Sequence, residues 1–575
     1  MEIENEFCGI AFRCVVLIIF ETDLQTLKIA LAQLNYHTGN FEFNTSKIID
    51  HINKAKIDGA DLVVFSELSV CGYPPRDFLE FNDFVDRCIE NVETIAKACT
   101  GIAAIIGSPS KNPKLEGKDL FNSAYFLADG KIAEVRHKTL LPNYDIFDEY
   151  RYFEPNRNFN IIEYKGCKIA LTICEDLWNI NDNPMYIMNP MDELIKQNPD
   201  VMINIAASPF SKSQIQSREH VVIDNVTKYK IPLFYVNHIG AQTQLIFDGG
   251  SMVLDKDAKF VDTLNYFSED IGFYELDIKS KKIKNLKPVS RKTFSSSIEI
   301  VHDALVLGIK EYFRKQGFKK AILGLSGGID SAVVLVLAIE ALGKENVRVV
   351  MLPSRYSTEH SVNDAIDMAK RLNVEYDIIS IEDTFNTLEK TLSKQFEGTP
   401  FNVAEENMQS RSRGIILMAL CNKFGYILLN TSNKSELAVG YGTLYGDMCG
   451  GISVIGDLYK TEVYDLVKHM NAIEELIPNN IVIKAPSAEL RPDQKDSDSL
   501  PDYDLLDKIL FQYIEERKSP KEIIASGFDE AIVTKVLRLV NTNEYKRLQA
   551  PPVLRVSQKS FGFGRRMPIV AKYLS

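Results

Sequence analysis

The chain has 575 residues, 45% of them hydrophobic and 25% charged, the balance of a folded globular protein with room for two large domains or a few smaller ones. Its formal net charge of −12 argues against a broad surface for nucleic acid or for an anionic membrane. Nine cysteines, an odd count without a CxxC pair, argue against a disulfide framework or a zinc site and fit a reducing cytoplasm.

Within the first 26 residues, "CGIAFRCVVLIIF" is apolar over only 13 residues, too short to span a bilayer as a helix. The acidic "MEIENEF" before it is unlike a signal peptide. Residues 1–26 are therefore read as an N-terminal extension. From there "LKIALAQLN" predicts a strand, "NTSKIIDHINKAKIDGA" a helix and "DLVVFSE" a strand. "GIAAIIGSPS", "NSAYFLADGKIAEVRHK", "CKIALTICED", "VMINIAASPF" and "IPLFYVNHIG" continue the strand-like runs to about residue 280. This alternation predicts a layered α/β domain over 27–280.

The Lys- and Ser-rich stretch 281–297 lacks an apolar period and reads as a linker. A second domain, 298–575, opens with helix "IEIVHDALVLGIKEYFRKQG", strand "KAILGLS", helix "DSAVVLVLAIEALG" and strand "VRVVMLPS". Helix "SVNDAIDMAKRLN" and strand "YDIISI" extend the series, which predicts a doubly wound parallel sheet. "DQKDSDSLPDYD", 493–504, is acidic and reads as a solvated loop.

In the first domain, Glu67 follows one predicted strand, Lys138 another and Cys174 a third. Strand ends can converge on one mouth of a sheet. Taken alone, a Cys at a strand end is more often a small buried residue, and Glu67 and Lys138 more often surface charges. Glu175 and Asp176 follow the thiol directly and should disfavour its thiolate. Alternation along an extended segment would turn Glu175 away, while Asp176 suits a cap or a backbone anchor. Trp178, the only tryptophan, reads as core or pocket wall.

The sharpest signal in the second domain is "LGLSGGIDSAVV", which runs from a strand through Ser326, Gly327 and Gly328 into a helix opened by Asp330 and Ser331. Glycines bring backbone N–H groups close to phosphate, and a helix N-terminus favours negative charge. Asp330 suits Mg²⁺. The GK[ST] ending of a Walker A loop is absent.

SGGIDS resembles the PP-loop of ATP pyrophosphatases. "LPSRYSTEHSVNDA", "TSNKSELAVGYGTLYGDMCGG", "LYKTEVYDL" and "NEYKRLQAPPVLRVSQKSFGFGRRMPI" resemble NAD synthetases across almost all of 300–570. "DLVVFSELSVCGYPPRD", "VRHKTLLPNYDIFDEYRYF" and "ALTICEDLW" resemble the nitrilase/amidase superfamily over about 27–280. The resemblance implies a nitrilase-like α-β-β-α sandwich followed by a PP-loop domain of the adenine nucleotide alpha hydrolase type. It also implies a ligase that forms a C–N bond, with Glu67, Lys138 and Cys174 as a glutaminase triad.

By the same resemblance, Tyr144 and Ser208 contact glutamine. Relatives carry a Lys six residues after that serine; here Gln214 stands there, with Lys212 two residues earlier. ATP falls to Gly324, Leu325, Ser326, Gly327, Gly328, Ile329, Asp330, Ser331, Thr431 and Lys460, with Thr461 assisting. Asn407, Arg411, Glu436 and Lys546 fall to deamido-NAD, and Asp330 and Glu436 to Mg²⁺. Arg411 and Arg413 lie two residues apart on a helix and face differently, and Arg547 could replace Lys546. The resemblance further implies a cytoplasmic homo-oligomer acting on small molecules, with no nucleic acid or membrane partner. Two other readings stay open: a different PP-loop amidotransferase, such as a GMP or asparagine synthetase, and a synthetase fed by free ammonia with an inert amidase half.

Overall fold

The computed structural model describes residues 26–180, 184–492 and 494–573. Residues 1–25 of the expected extension lie outside these. The first half runs β1 (Thr26–Gln33), α1 (Phe41–Ile57), β2 (Leu62–Val64), α2 (Asn82–Ala98), β3 (Ala103–Lys111), β4 (Leu120–Ala128) and β5 (Lys131–His137). It continues with β6 (Ile162–Tyr164), β7 (Cys167–Ile173), α3 (Pro190–Leu194), β8 (Val201–Ile205), α4 (Gln214–Tyr229) and β9 (Leu233–Val236). Then come β10 (Ile239–Gln242), β11 (Leu245–Asp248), β12 (Met252–Leu254), β13 (Phe260–Thr263), β14 (Asp270–Asp277) and β15 (Ile283–Asn285).

Two large sheets form, in the orders β15-β14-β1-β2-β3-β4-β5 and β13-β12-β9-β8-β7-β6, and β10 and β11 pair as a separate hairpin. Central strands such as β2 and β8 are apolar throughout because both faces are covered. Leu31, Val64, Ile105, Leu171, Ile203 and Val253 meet between the sheets. On the outer face of the first sheet, Ile48, Ile52, Val92 and Ile95 of α1 and α2 cover Ala30, Val63 and Ala104. Val222 and Val226 of α4 pack with the second sheet. The result is the α-β-β-α sandwich.

Residues 283–285, inside the stretch expected as a linker, instead form β15 and pair antiparallel with β14. Ladder pairing needs only backbone groups, so an edge strand requires no apolar period, and a Lys on it deters further pairing. That is why the polar sequence concealed it.

The second half begins with α5 (Ser297–Gln316), β16 (Lys320–Gly324), α6 (Ile329–Leu342), β17 (Val347–Met351), α7 (Glu359–Arg371), β18 (Glu375–Ile378) and α8 (Glu382–Leu392). Next are α9 (Val403–Phe424), β19 (Tyr426–Asn430), α10 (Lys434–Val439), β20 (Ile452–Ser453), α11 (Lys460–Met470) and α12 (Asn479–Ile483). A small cluster of α13 (Tyr503–Ile514), α14 (Pro520–Ala525), α15 (Glu530–Thr542) and α16 (Glu544–Arg547) packs on α10 through Leu437, Leu506 and Val536. The five strands are all parallel, in the order β18-β17-β16-β19-β20. From β16 the chain steps to β17 and β18 on one side and then returns to β19 on the other, so a crevice opens at the C-terminal ends of β16 and β19.

The halves are joined by more than the linker. Helix α5 packs on the β10–β11 hairpin through Ala304, Leu305, Ala241 and Ile246. Asn35 Nδ2 donates to Glu311 Oε2 at 2.7 Å. A returning C-terminal segment crosses the boundary: Lys212 N donates to Val556 O and Arg555 N to Gln244 O, each at 2.9 Å.

Candidate active sites

Three strand ends meet in the first half. Lys138 directly follows β5, Cys174 directly follows β7, and Glu67 lies three residues past β2. Lys138 is fully buried, and its Nζ donates to Glu67 Oε1 at 2.7 Å. It also donates to Glu149 Oε1 at 2.9 Å. Burial alone would strip its charge; Glu149 and Glu67 outweigh that and hold it well above the usual lysine range. Glu67 is fixed further by Asn122 Nδ2 at 2.7 Å and by the Ala207 N–H at 3.0 Å.

Cys174 has φ +44, a left-handed conformation rare for a side chain with a Cβ. It sits where β7 turns into a short 3₁₀ turn, Cys174–Leu177. Such strain persists only when surrounding structure enforces it, and it aims the thiol from a sharp turn. Burial first and Glu67 next push the thiol well above its usual range; Lys138 pulls it down, and Glu149 and Glu175 oppose that pull. The thiol therefore rests protonated and needs a base to act.

The segment after Cys174 is not extended, which corrects the alternation argument for Glu175. Its carboxylate instead accepts from Tyr144 at 2.8 Å and Tyr186 at 3.1 Å. Burial pushes it up to about 7. Asp176 accepts from the N–H groups of Thr139, Leu140 and Ile173 at 2.9, 2.8 and 3.0 Å. It ties the strand end bearing Lys138 to the turn bearing Cys174. Trp178 packs on the inter-sheet core.

Ser208 N donates to Asn237 Oδ1 at 2.8 Å, which fixes the loop before α4. Gln214 is the first residue of α4, its N–H donating to Ser211 O at 2.9 Å. Lys212 is not free to replace the absent lysine, because its ammonium pairs with Glu462 of the second half. Beside Tyr144, Asp145 accepts from Arg555 at 2.6 Å and Lys559 at 3.2 Å, both on the C-terminal segment.

In the second half, a cavity of about 310 Å³ opens at the crevice beyond β16 and β19. Gly324, Leu325, Ser326, Gly328, Ile329, Asp330 and Ser331 border it, with Thr431, Glu436 and Lys460 facing them. Gly327 lies beneath: at φ +74, a Cβ there would stand 2.3 Å from Ser361 O, so only glycine fits. Ser331 Oγ donates to Gly328 O at 3.0 Å and closes the loop onto α6.

Lys460 pairs with Asp330 at 2.5 Å and approaches Glu436 at 3.8 Å. Burial and then Asp330's charge push Glu436 up to about 8. Thr461 N donates to Asp507 Oδ2 at 2.9 Å and anchors α11 to α13.

Three residues expected at the dinucleotide do not border this cavity. Asn407 accepts from Thr443 Oγ1 at 2.6 Å, Arg411 donates to Leu444 O at 3.2 Å, and Lys546 donates to Gly440 O at 2.7 Å. Together they clasp the loop 440–447, whose Tyr441 and Asp447 do border it. Arg413, on the other face of α9, lines the cavity, and burial lowers it to about 10. Arg547 is buried on Glu544 and the Leu437 and Ala438 carbonyls. It cannot stand in for Lys546.

The sequence reading missed Glu149, Asn122 and the cavity-lining stretch 484–490, and it left Arg413 without a role. Asp496, in the stretch expected as a solvated loop, is buried at 6% exposure and borders the cavity. For Glu149 the only signal was a carboxylate 11 residues after Lys138, inside an irregular segment.

Fold and sites define a carbon–nitrogen hydrolase joined to an NAD synthase: the two family profiles match residues 28–282 and 301–550. A glutamine-dependent NAD(+) synthetase of Synechocystis sp. is 44% identical over 552 residues, covering 95% of this chain and 99% of its own. One from Thermotoga maritima is 38% identical, covering 96% and 99%. The structure of a glutamine-dependent NAD+ synthetase from Acinetobacter baumannii in complex with ADP matches with a TM-score of 0.75 at 38% identity, over 95% of this chain and 98% of that one. This chain belongs to the glutamine-dependent NAD(+) synthetases.

Proposed function

We propose that the protein makes NAD from deamido-NAD, ATP and L-glutamine, releasing glutamate, AMP and pyrophosphate. The observation that carries this is one chain holding a buried Glu67–Lys138–Cys174 cluster and an SGGIDS loop bordering a cavity at a sheet crevice. Glu67 takes the proton of the resting thiol and Cys174 attacks the glutamine carboxamide; the C–N bond breaks, ammonia leaves with that proton, and water then cleaves the thioester to glutamate. The Lys138 ammonium stabilises the oxyanion, and Glu149 holds that ammonium in place. Tyr144 and Ser208, on loops, and Gln214, at the start of α4, would receive glutamine.

Ammonia is reactive only as free NH₃, scarce at neutral pH, so an internal supply is chemically useful. In the second half, the glycine loop and Lys460 hold the triphosphate. The nicotinate carboxylate attacks the α-phosphorus, and pyrophosphate leaves. Ammonia then displaces AMP. Asn407, Arg411 and Lys546 set the shape of the 440–447 loop for the dinucleotide.

Asp330 and Glu436 fit Mg²⁺, because two hard carboxylates beside a phosphate loop are the usual protein share when substrate oxygens complete the shell. Their mutual repulsion supports the fit. Among the described residues no group of three His, Cys, Asp or Glu could hold a metal without such oxygens. A bound Mg²⁺ would neutralise charge on the triphosphate.

We further propose a cytoplasmic homo-oligomer. No helix among the described residues is long and apolar enough to cross a membrane.

A substrate panel tests the reading. Amide formation should occur with deamido-NAD and not with xanthosine monophosphate or aspartate. Product from either of the latter would favour another PP-loop amidotransferase and overturn it.

A further inference from the structure

The C-terminal segment of the second half runs along the rim of the first-half site. Lys212 N donates to Val556 O at 2.9 Å, and Gln558 Nε2 donates to Ser213 Oγ at 2.7 Å. On the facing loop, Asp145 accepts from Arg555 and Lys559. The segment therefore bridges the start of α4 and the loop of Tyr144, whose hydroxyl reaches Glu175 beside the thiol. Its backbone is braced by the second half. Asp457 accepts from the N–H groups of Val556 and Ser557 at 2.8 and 2.7 Å. Lys434 Nζ donates to Ser557 Oγ and Lys559 O at 2.8 and 2.9 Å. Lys559 is thus presented at the rim from a fixed backbone.

Charge does not balance there. Asp145 meets Arg555 at 2.6 Å through Oδ2 and Lys559 at 3.2 Å through Oδ1, so one carboxylate faces two cations and one positive charge is left over. Arg555 also donates to Gln558 O at 3.0 Å. The Lys559 ammonium has only the contact to Asp145 among the described residues, and an ammonium carries three donors. Its side chain is 23% exposed, so a ligand can reach it. The other cations around the site are committed. Lys138 is buried on Glu67 and Glu149, Arg218 is buried on Asp248, and Lys212 pairs with Glu462. Arg76 stacks on the Phe563 ring at 4.3 Å. Gln214 puts an uncharged side chain at the start of α4.

Glutamine brings an α-carboxylate that the amide chemistry does not use, and such a group needs a cationic partner when it leaves water. Resting on the function proposed above, we infer that Lys559 binds the α-carboxylate of glutamine, so the synthetase half supplies the residue that tells L-glutamine from other primary amides. Asp145 holds the ammonium at the rim before the substrate arrives, and the carboxylate takes the donors left over. The contact is made before and after attack by Cys174 alike, so its loss weakens binding rather than the chemical step.

The test compares L-glutamine with 4-aminobutanamide, which keeps the carboxamide and the amine and lacks the carboxylate. Ammonia release from each is measured with the full-length wild type and with Lys559→Met. For glutamine, kcat/KM should fall roughly 10–100-fold, the loss of a hydrogen bond to a charged group, and mainly through KM. For 4-aminobutanamide it should stay within about 2-fold, because substrate and variant have each lost the same contact and the losses do not add. NAD formation from ammonium chloride should also hold.

An equal fall for both amides would make Lys559 a brace of the segment and overturn the inference. Unchanged glutamine kinetics would overturn it too, as would a glutamine-specific loss that appears in Arg76→Met instead. Should Lys559→Met not fold, Lys559→Gln carries the same comparison. Wild-type protein that releases no ammonia from glutamine would instead overturn the proposed function.

Discussion

Glu149→Gln is the substitution that most sharply separates the observed centre from a three-residue triad. Lys138 makes two buried ion pairs, to Glu67 at 2.7 Å and to Glu149 at 2.8 Å, with all three side chains at most 6% exposed. Gln keeps an oxygen for Lys138 and for the Tyr73 hydroxyl, which donates to Glu149 Oε1 at 2.9 Å. It removes the charge that holds the ammonium. A hydrogen bond to a charged group contributes roughly 1.5–3 kcal/mol. At 1.36 kcal/mol per tenfold in rate, losing it in the transition state slows glutamine hydrolysis by roughly 10–150-fold. Glu149→Ala also strands the Tyr73 hydroxyl, and breaking a buried pair costs about 3–5 kcal/mol of stability. The assay is glutamate release beside NAD formation from ammonium chloride. Hydrolysis should fall while ammonia-dependent synthesis stays within about 2-fold. Wild-type hydrolysis in Glu149→Gln, or an equal fall in both activities, would refute the reasoning.

Asp330→Asn should abolish synthesis with either nitrogen donor, because it removes one of the two carboxylates proposed for the cation and the partner of Lys460. Ammonia-dependent NAD formation by that variant would contradict the assignment. Arg555→Ala breaks the pair to Asp145, next to Tyr144. NAD formed per glutamine consumed should drop while ammonia-dependent synthesis holds; an unchanged ratio would show that the C-terminal segment does not link the sites. His302 tests electrostatics away from both centres. Burial alone would lower it, but Asp303 and Glu340 outweigh burial and raise it to about 9. Because the folded value lies above the unfolded one, this stability is fully present below about pH 6.5 and is lost as pH rises through about 9. The whole effect is on the order of 3 kcal/mol. His302→Gln should flatten that part of the pH–stability curve measured by urea unfolding, and an unchanged slope would disprove it.

The alternation of strands and helices was legible because burial on two faces imposes apolar runs. The βαβ series after residue 297 follows that pattern element by element, from α5 through β18. Edge strand β15 was not legible, since its pairing uses backbone alone. Glu67, Lys138 and Cys174 stood out at strand ends, where side chains leave the sheet together. Glu149 did not, because it approaches Lys138 from an irregular segment that carries no period. Arg411 and Arg413 show a further limit. Helical spacing separates their faces, but only the packing of α9 against β17 and β19 selects Arg413 for the cavity. Lys212 shows another: its partner Glu462 lies 250 residues away, across the boundary between the halves. The question raised by Glu175 was settled by its partners, Tyr144 and Tyr186, rather than by its place next to the thiol.

The central claim is that one chain carries two separable chemistries, with a thiol that serves only the first. Cys174→Ala measures it directly, through NAD formed from deamido-NAD and ATP with glutamine and, separately, with ammonium chloride. The account predicts no glutamine-dependent product and ammonia-dependent synthesis within about 2-fold of wild type, since Cys174 lies in the first half and borders no part of the nucleotide cavity. Loss of both activities, or survival of both, would contradict it.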